Sequence, residues 1–137
     1  MLNMITLGVS DIERSASFYE SVFSQRRSKY SNDGIVFIRL TGIVLALFSH
    51  KALAKDANVE SVGSGFKRFS MTYYASSEAE VDEITSSVEK LGGKQTKKPQ
   101  KATWGVYSSY FCDPDDNLIE VAYNPVLPLS ANGELDI

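Results

Sequence analysis

At 137 residues, with 43% hydrophobic and 23% charged side chains, the chain has the composition of an ordinary globular protein able to bury one core, with no sizeable disordered tail. A formal net charge of −3 removes any global reason to bind nucleic acid or an anionic membrane, so neither is expected as a partner. The single cysteine, Cys112, excludes an internal disulfide framework.

The opening MLNMITLGVSD has no basic stretch followed by an apolar one, and no apolar run approaches the ~20 residues of a membrane span. No signal peptide is expected, and with one cysteine the expected location is a reducing cytoplasm. MITLGV is β-rich and ends at Ser10, where SDIE has the Ser-x-x-Glu form of a capping box. A helix is predicted from about Asp11 to Phe23, since Ile12, Ala16, Tyr19, Val22 and Phe23 fall at helical spacing. RRSKYS, GIVFIRL and GIVLALFS follow as three predicted strands of an antiparallel meander, punctuated by Asn32-Asp33-Gly34 and Thr41-Gly42. HKALAKDAN reads as a short helix and VGSG as a loop.

The same order then begins again. FKRFSMTYYA is a predicted strand, and Ser77-x-x-Glu80 is a second capping box. The helix after it turns Val81, Ile84, Val88 and Leu91 inward and stops at Gly92-Gly93. GKQTK, GVYSSYFCD and NLIEVAYN are predicted strands, with DPDDN as the turn between the last two. The basic run KQTKKPQK, Lys94 to Lys101, reads as a whole as a solvated loop. Two β-α-β-β-β units, each with a half-covered sheet, bury more if the sheets join into one curved surface with a cleft on its concave face.

Few motifs carry chemistry outright. A catalytic thiol needs a base, and His50 is the only histidine, so Cys112 reads as inert. The oxygen-rich DPDDN lacks the spacing of a calcium loop and is explained by the turn it makes. The chain has no Gly-rich phosphate loop and no paired zinc cysteines.

Three stretches carry a resemblance: ITLGVSDIERSASFYESVF, SSEAEVDEITSSVEKLGG and WGVYSSYFCDPDDNLIEVAYNP. Together they resemble the vicinal oxygen chelate superfamily, the glyoxalase, bleomycin-resistance and extradiol dioxygenase group, and within it a glyoxalase-like bacterial branch. The resemblance implies an α+β fold of two βαβββ modules forming a curved, barrel-like mixed sheet with a central cleft. It implies a single glyoxalase-like domain over 1–137, with module 1 at about 1–57, module 2 at about 65–125 and a tail at 126–137, and a homodimer. Catalytic members hold a divalent metal through side chains of the first and last strand of each module. Carried over, those positions are Met4, Ala46, one residue within Phe69–Tyr73, and Glu120. Only Glu120 is a usual ligand, and one carboxylate does not hold a transition metal usefully. No metal site and no cofactor are therefore expected. His50 lies about 13 Å beyond Ala46 along a continuing strand, and reads as solvated or as capping a loop.

What remains is a candidate organic site. Glu120 is the candidate catalytic or ligand-holding carboxylate, with Leu118, Ala122, Ala46, Val44, Phe48, Met4 and Thr6 as neighbours by strand parity. If it is buried without a partner it could serve as a general base; the alternative is a carboxylate satisfied by tyrosine hydroxyls or water. Tyr73, Tyr74, Trp104, Tyr107 and Tyr110 are candidate aromatic walls, though Tyr73 and Tyr74 cannot both face the cleft. The expected partner is a small organic molecule that is sequestered or, in the alternative, turned over, either by a metal-dependent lyase or dioxygenase with a rearranged site or without metal through Glu120 as general base.

Overall fold

In a computed structural model that describes residues 2, 4–103 and 105–135, the first of two units, Met1–Gly65, is built on one three-stranded sheet. β1 (Met4–Val9) lies parallel to β3 (Val44–Ser49), and β2 (Ile35–Arg39) pairs antiparallel with the other side of β3, giving the order β1-β3-β2. Alternation along the strands puts Leu7, Val9, Val36, Ile38, Leu45 and Leu47 on one face, and all are buried. α1 (Ile12–Val22) packs on β2 and β3 and buries Ala16, Phe18, Tyr19 and Val22.

α1 starts where the capping pattern indicates, but its cap is Asp11 rather than Ser10: Asp11 Oδ1 accepts the Arg14 amide at 2.9 Å. With Asp11 as the cap, Glu13 is turned to Arg27, at 2.7 Å, and Ser10 Oγ accepts from the Arg14 guanidinium. Arg27 also holds Glu20, and these hydrogen bonds keep both carboxyls below the ordinary glutamate range against a small desolvation cost.

RRSKYS does not become a strand. It follows β2 through one bridge, Arg27 to Ile38, and one bond from Ser28 N to the Phe37 carbonyl. Beyond that the Ser31 hydroxyl, rather than a strand carbonyl, accepts the Phe37 amide at 3.0 Å, and Arg27 is committed to the helix. β3 ends at Ser49, whose hydroxyl accepts the Ala52 amide and starts α2 (His50–Asp56). His50 therefore opens a helix instead of extending the strand of Ala46. α2 sits directly on Gly8: a Cβ there would lie 3.0 Å from both Cα and Cβ of His50.

The second unit, Phe66–Ile137, repeats the plan with four strands. β4 (Met71–Tyr74) is parallel to β7 (Leu118–Tyr123), which pairs antiparallel with β6 (Tyr107–Cys112), which pairs with β5 (Lys94–Lys101): the order is β4-β7-β6-β5. α3 (Glu78–Ser87) covers one face, where Val81, Val88, Phe111, Ile119 and Val121 are buried. The Ser77 hydroxyl caps it by accepting the Glu80 amide at 3.1 Å, and Gly92 closes the 3₁₀ turn Glu89–Leu91 at φ 92°, where a side chain would be strained.

Two expectations change here. The stretch before Met71 is exposed coil rather than strand, with Lys67 pinned to the Asp115 carbonyl at 2.8 Å and to Asn117 Oδ1 at 3.0 Å. The basic run is a full edge strand rather than a loop, because backbone pairing to β6 does not depend on burying its lysines. Its register shifts twice around Lys97, where the Ser109 hydroxyl takes up the Lys97 carbonyl at 2.7 Å. Charged side chains on such an edge discourage further strand addition. Both sheets are open, and among the described residues no helix is long and apolar enough to cross a membrane.

Ser77→Ala should cost about 1 kcal/mol and Ser77→Gly only a few tenths, while Asp11→Ala should cost more than Ser10→Ala. Urea denaturation of the four variants checks the order.

Candidate functional site

In each unit the last strand is central, so residues 44–48 of β3 and 119–122 of β7 have a neighbour on both sides. Glu120 of β7 stands opposite Thr72 of β4 and Tyr110 of β6, and Lys97 of β5 stands opposite Tyr110. Four strands thus contribute one rung: Thr72, Glu120, Tyr110, Lys97. The Thr72 hydroxyl donates to Glu120 Oε2 at 3.1 Å, and the Tyr110 hydroxyl also donates to the carboxylate. Burial, then this bond and the Glu120 charge, push the Tyr110 phenol up. Lys97 Nζ lies 5.8 Å from the Tyr110 ring centroid, within cation–π range.

Glu120 is half-buried with two hydroxyl partners, so it is not the isolated buried carboxylate that burial alone would activate. Two donors occupy only part of a carboxylate's acceptor capacity. The rest is available to an outside hydrogen-bond donor.

Face alternation sorts the tyrosines. Tyr74 and Tyr110 share the face of Glu120, together with Leu118, Ala122 and Cys112. Tyr73 and Tyr107 lie on the opposite face, tied to α3. Tyr73 donates to Glu80 at 2.8 Å, and Tyr107 to Asp82 at 2.6 Å. Both phenols are pushed up to about 12, Tyr73 mainly by burial and Tyr107 mainly by its bond to Asp82. Glu80 also accepts from the amide and hydroxyl of Ser76; burial opposes its charge, but these bonds and that from Tyr73 outweigh it and hold the carboxyl below the ordinary range. Trp104 lies outside the described residues.

The first unit carries the corresponding rung as Thr6, Ala46 and Phe37. It offers one hydroxyl and no charge. Phe48 lies on the same face, half-buried, between Gly8 and Ile35. Met4 pairs with Val44, so the strand neighbour of Ala46 is Thr6. Thr72 was not singled out from sequence. Its only signal is the register of β4 on β7, which needs the fold.

The donors do not fit a divalent ion at the positions the resemblance implies: Met4 offers a thioether, Ala46 nothing, and Glu120 one carboxylate beside neutral hydroxyls. Among the described residues there is no group of three His, Cys, Asp or Glu side chains that could hold a metal. The acidic turn is spent on itself: Asp113 accepts the amides of Asp115 and Asn117 and the Asn117 side chain, each at 2.8 Å. Cys112 is half-buried, and burial followed by Asp116 and Asp113 pushes its thiol up, which disfavours the reactive thiolate.

Comparison with known proteins agrees with this architecture. The family model "Glyoxalase/Bleomycin resistance protein/Dioxygenase superfamily" matches residues 1–121. The crystal structure of a glyoxalase-related enzyme from Fulvimarina pelagi is 30% identical with a TM-score of 0.91, over 100% of this chain and 97% of that one. A lactoylglutathione lyase from Agrobacterium tumefaciens is 26% identical, TM-score 0.68, over 90% and 93%. A glyoxalase/bleomycin resistance protein/dioxygenase family enzyme from Burkholderia phytofirmans PsJN, 18% identical with a TM-score of 0.81 over 88% and 96%, shows the shared fold.

The Tyr73–Glu80 bond has a pH signature. A folded-state pKa raised to about 12 from ~10 means the stabilising contribution is fully present below pH ~10 and is lost as pH rises through about 12. Tyr73→Phe should lower stability by about 1 kcal/mol near neutrality. Its deficit relative to wild type should shrink between pH ~10 and ~12, read by urea denaturation at each pH.

Proposed function

Because the chain belongs to the glyoxalase/bleomycin resistance protein/dioxygenase superfamily, we propose that it is a small-molecule-binding member in which the superfamily metal site is largely lost and Glu120 holds an organic ligand. The observation that supports this best is the rung itself. A half-buried carboxylate, fixed by Thr72 and Tyr110, stands beside the rings of Tyr74 and Tyr110 on the face that α3 does not cover. Such a surface suits a ligand with a flat apolar body and a cationic or hydrogen-bond-donating group. Thr72 and Tyr110 keep the carboxylate in one orientation, which reduces the ordering cost on binding. In this proposal the protein works as a homodimer in a reducing cytoplasm and sequesters its ligand.

A second reading, turnover with Glu120 as general base on a carbonyl compound, is favoured by the phenol next to the carboxylate, since Tyr110 could supply a proton where Glu120 removes one. Glu120→Gln separates the two. In a binding protein it should weaken affinity for flat organic cations about tenfold or less, whereas in an enzyme it should abolish turnover with affinity largely kept.

The metal part of the proposal has its own test. After incubation with Zn, Mn, Ni or Fe(II) and desalting, elemental analysis should find far less than one equivalent in both wild type and Glu120→Ala. Near-stoichiometric metal that disappears in the variant would overturn it.

A further inference from the structure

The parallel strands β4 and β7 end side by side at Tyr74 and Tyr123, and just beyond them lies a partly open pocket of about 230 Å³. Its floor is the carboxyl end of the strand pair. Its wall is the following chain, Pro125, Leu127, Pro128 and Leu129. This segment lies past the residues that match the family model, so the pocket is shaped by a part of the chain that the family pattern does not describe.

The wall is a fixed piece of structure. Asn124 Oδ1 accepts the Val126 amide at 3.0 Å, turning the chain back as it leaves β7. Further on, Leu129 bridges Leu135 across a tight turn, in which the Ser130 amide donates to the Glu134 carbonyl and the Ser130 hydroxyl accepts the amides of Asn132 and Glu134. Gly133, at φ 78°, closes that turn.

Size and chemistry narrow the occupant. A cavity of about 150 Å³ holds a benzene ring, and pockets for whole drug-sized molecules run from ~300 Å³ upward. A 230 Å³ pocket therefore suits a single ring with a small substituent. Prolines, leucines and tyrosine rings favour a flat apolar group. Among the described residues neither the Tyr74 nor the Tyr123 hydroxyl makes a hydrogen bond, whereas Ser76 at the rim is engaged with Glu80. Two available phenols suit an acceptor on that ring.

Tyr74 links this pocket to the site already described. It lines the pocket and shares the face of Glu120. Its partner Ala122 is two residues beyond Glu120 on β7, or about 7 Å at the ~3.4 Å rise of a strand. A ring beyond Tyr74 and an amine at Glu120 would therefore be joined by a short alkyl arm.

We infer that residues beyond β7 form a ring-binding subsite, and that the ligand class is an arylalkylamine: a substituted aromatic ring in the pocket, its ammonium at Glu120. The second half of this statement rests on the binding role proposed for Glu120; the first does not.

The probes are 4-(2-aminoethyl)benzamide and its amine-free analogue 4-ethylbenzamide, titrated into wild type, Leu127→Trp and Glu120→Gln. The amine should bind wild type about tenfold more tightly than the analogue. Leu127→Trp, which fills the pocket, should weaken both at least tenfold, and Glu120→Gln should bring the amine down to the analogue's affinity. Unchanged binding of both probes to Leu127→Trp overturns the subsite, whatever Glu120→Gln does. Weakening by Leu127→Trp with no effect of Glu120→Gln supports the subsite and overturns the role given to Glu120. If Leu127→Trp does not fold, methyl NMR of the wild type decides: 4-ethylbenzamide should shift the Leu127 and Leu129 signals, and their failure to move overturns the subsite.

Discussion

The pairing on which the rest depends is the parallel contact between the first and last strands of each unit, β1 with β3 and β4 with β7. Parallel neighbours cannot be joined by a tight turn, so a helix and the intervening strand or strands must be passed before the chain returns. The return inserts the last strand between the first strand and the one preceding it. That strand becomes central, and its middle residues acquire cross-strand neighbours on both sides. Helices α1 and α3 each cover one face of their sheet and leave the alternate residues for other uses.

On that frame the two units have diverged at one rung. Thr6, Ala46 and Phe37 in the first correspond to Thr72, Glu120 and Tyr110 in the second. A charge in the middle of a sheet is costly unless it is hydrogen-bonded, and the second unit supplies the partners from both adjoining strands. The same logic governs the other face, where Tyr73 and Tyr107 find carboxylates on α3. Residues of one type, a single position apart, thus take opposite roles: Tyr73 fastens a helix, while Tyr74 stands beside the carboxylate. Superfamily membership fixes the frame, while the chemistry at this rung depends on the side chains it carries.

Local patterns in the chain were informative wherever the physics is local. The Ser77 cap, the Gly92 stop, the DPDDN turn and the inward stripe of α1 are governed by interactions within a few residues, and each is present in the structure. The misreadings came where a distant partner intervened. Arg27, paired with Glu13 and Glu20, was held to the helix, the Ser31 hydroxyl replaced a strand partner of Phe37, and β6 drew a lysine-rich segment into the sheet as its edge.

The sequence by itself determined the strand-helix-strands order common to the two units, the apolar stripes that form the two cores, and the presence of a lone carboxylate at Glu120, because periodicity and capping are properties of neighbouring residues. Which tyrosine stands with Glu120, the part played by Thr72, and the pocket behind Tyr74 and Tyr123 were decided only by the tertiary structure. A one-residue change of register exchanges the two faces of a strand, and register is set by contacts between segments some 50 residues apart, as in Thr72 with Glu120.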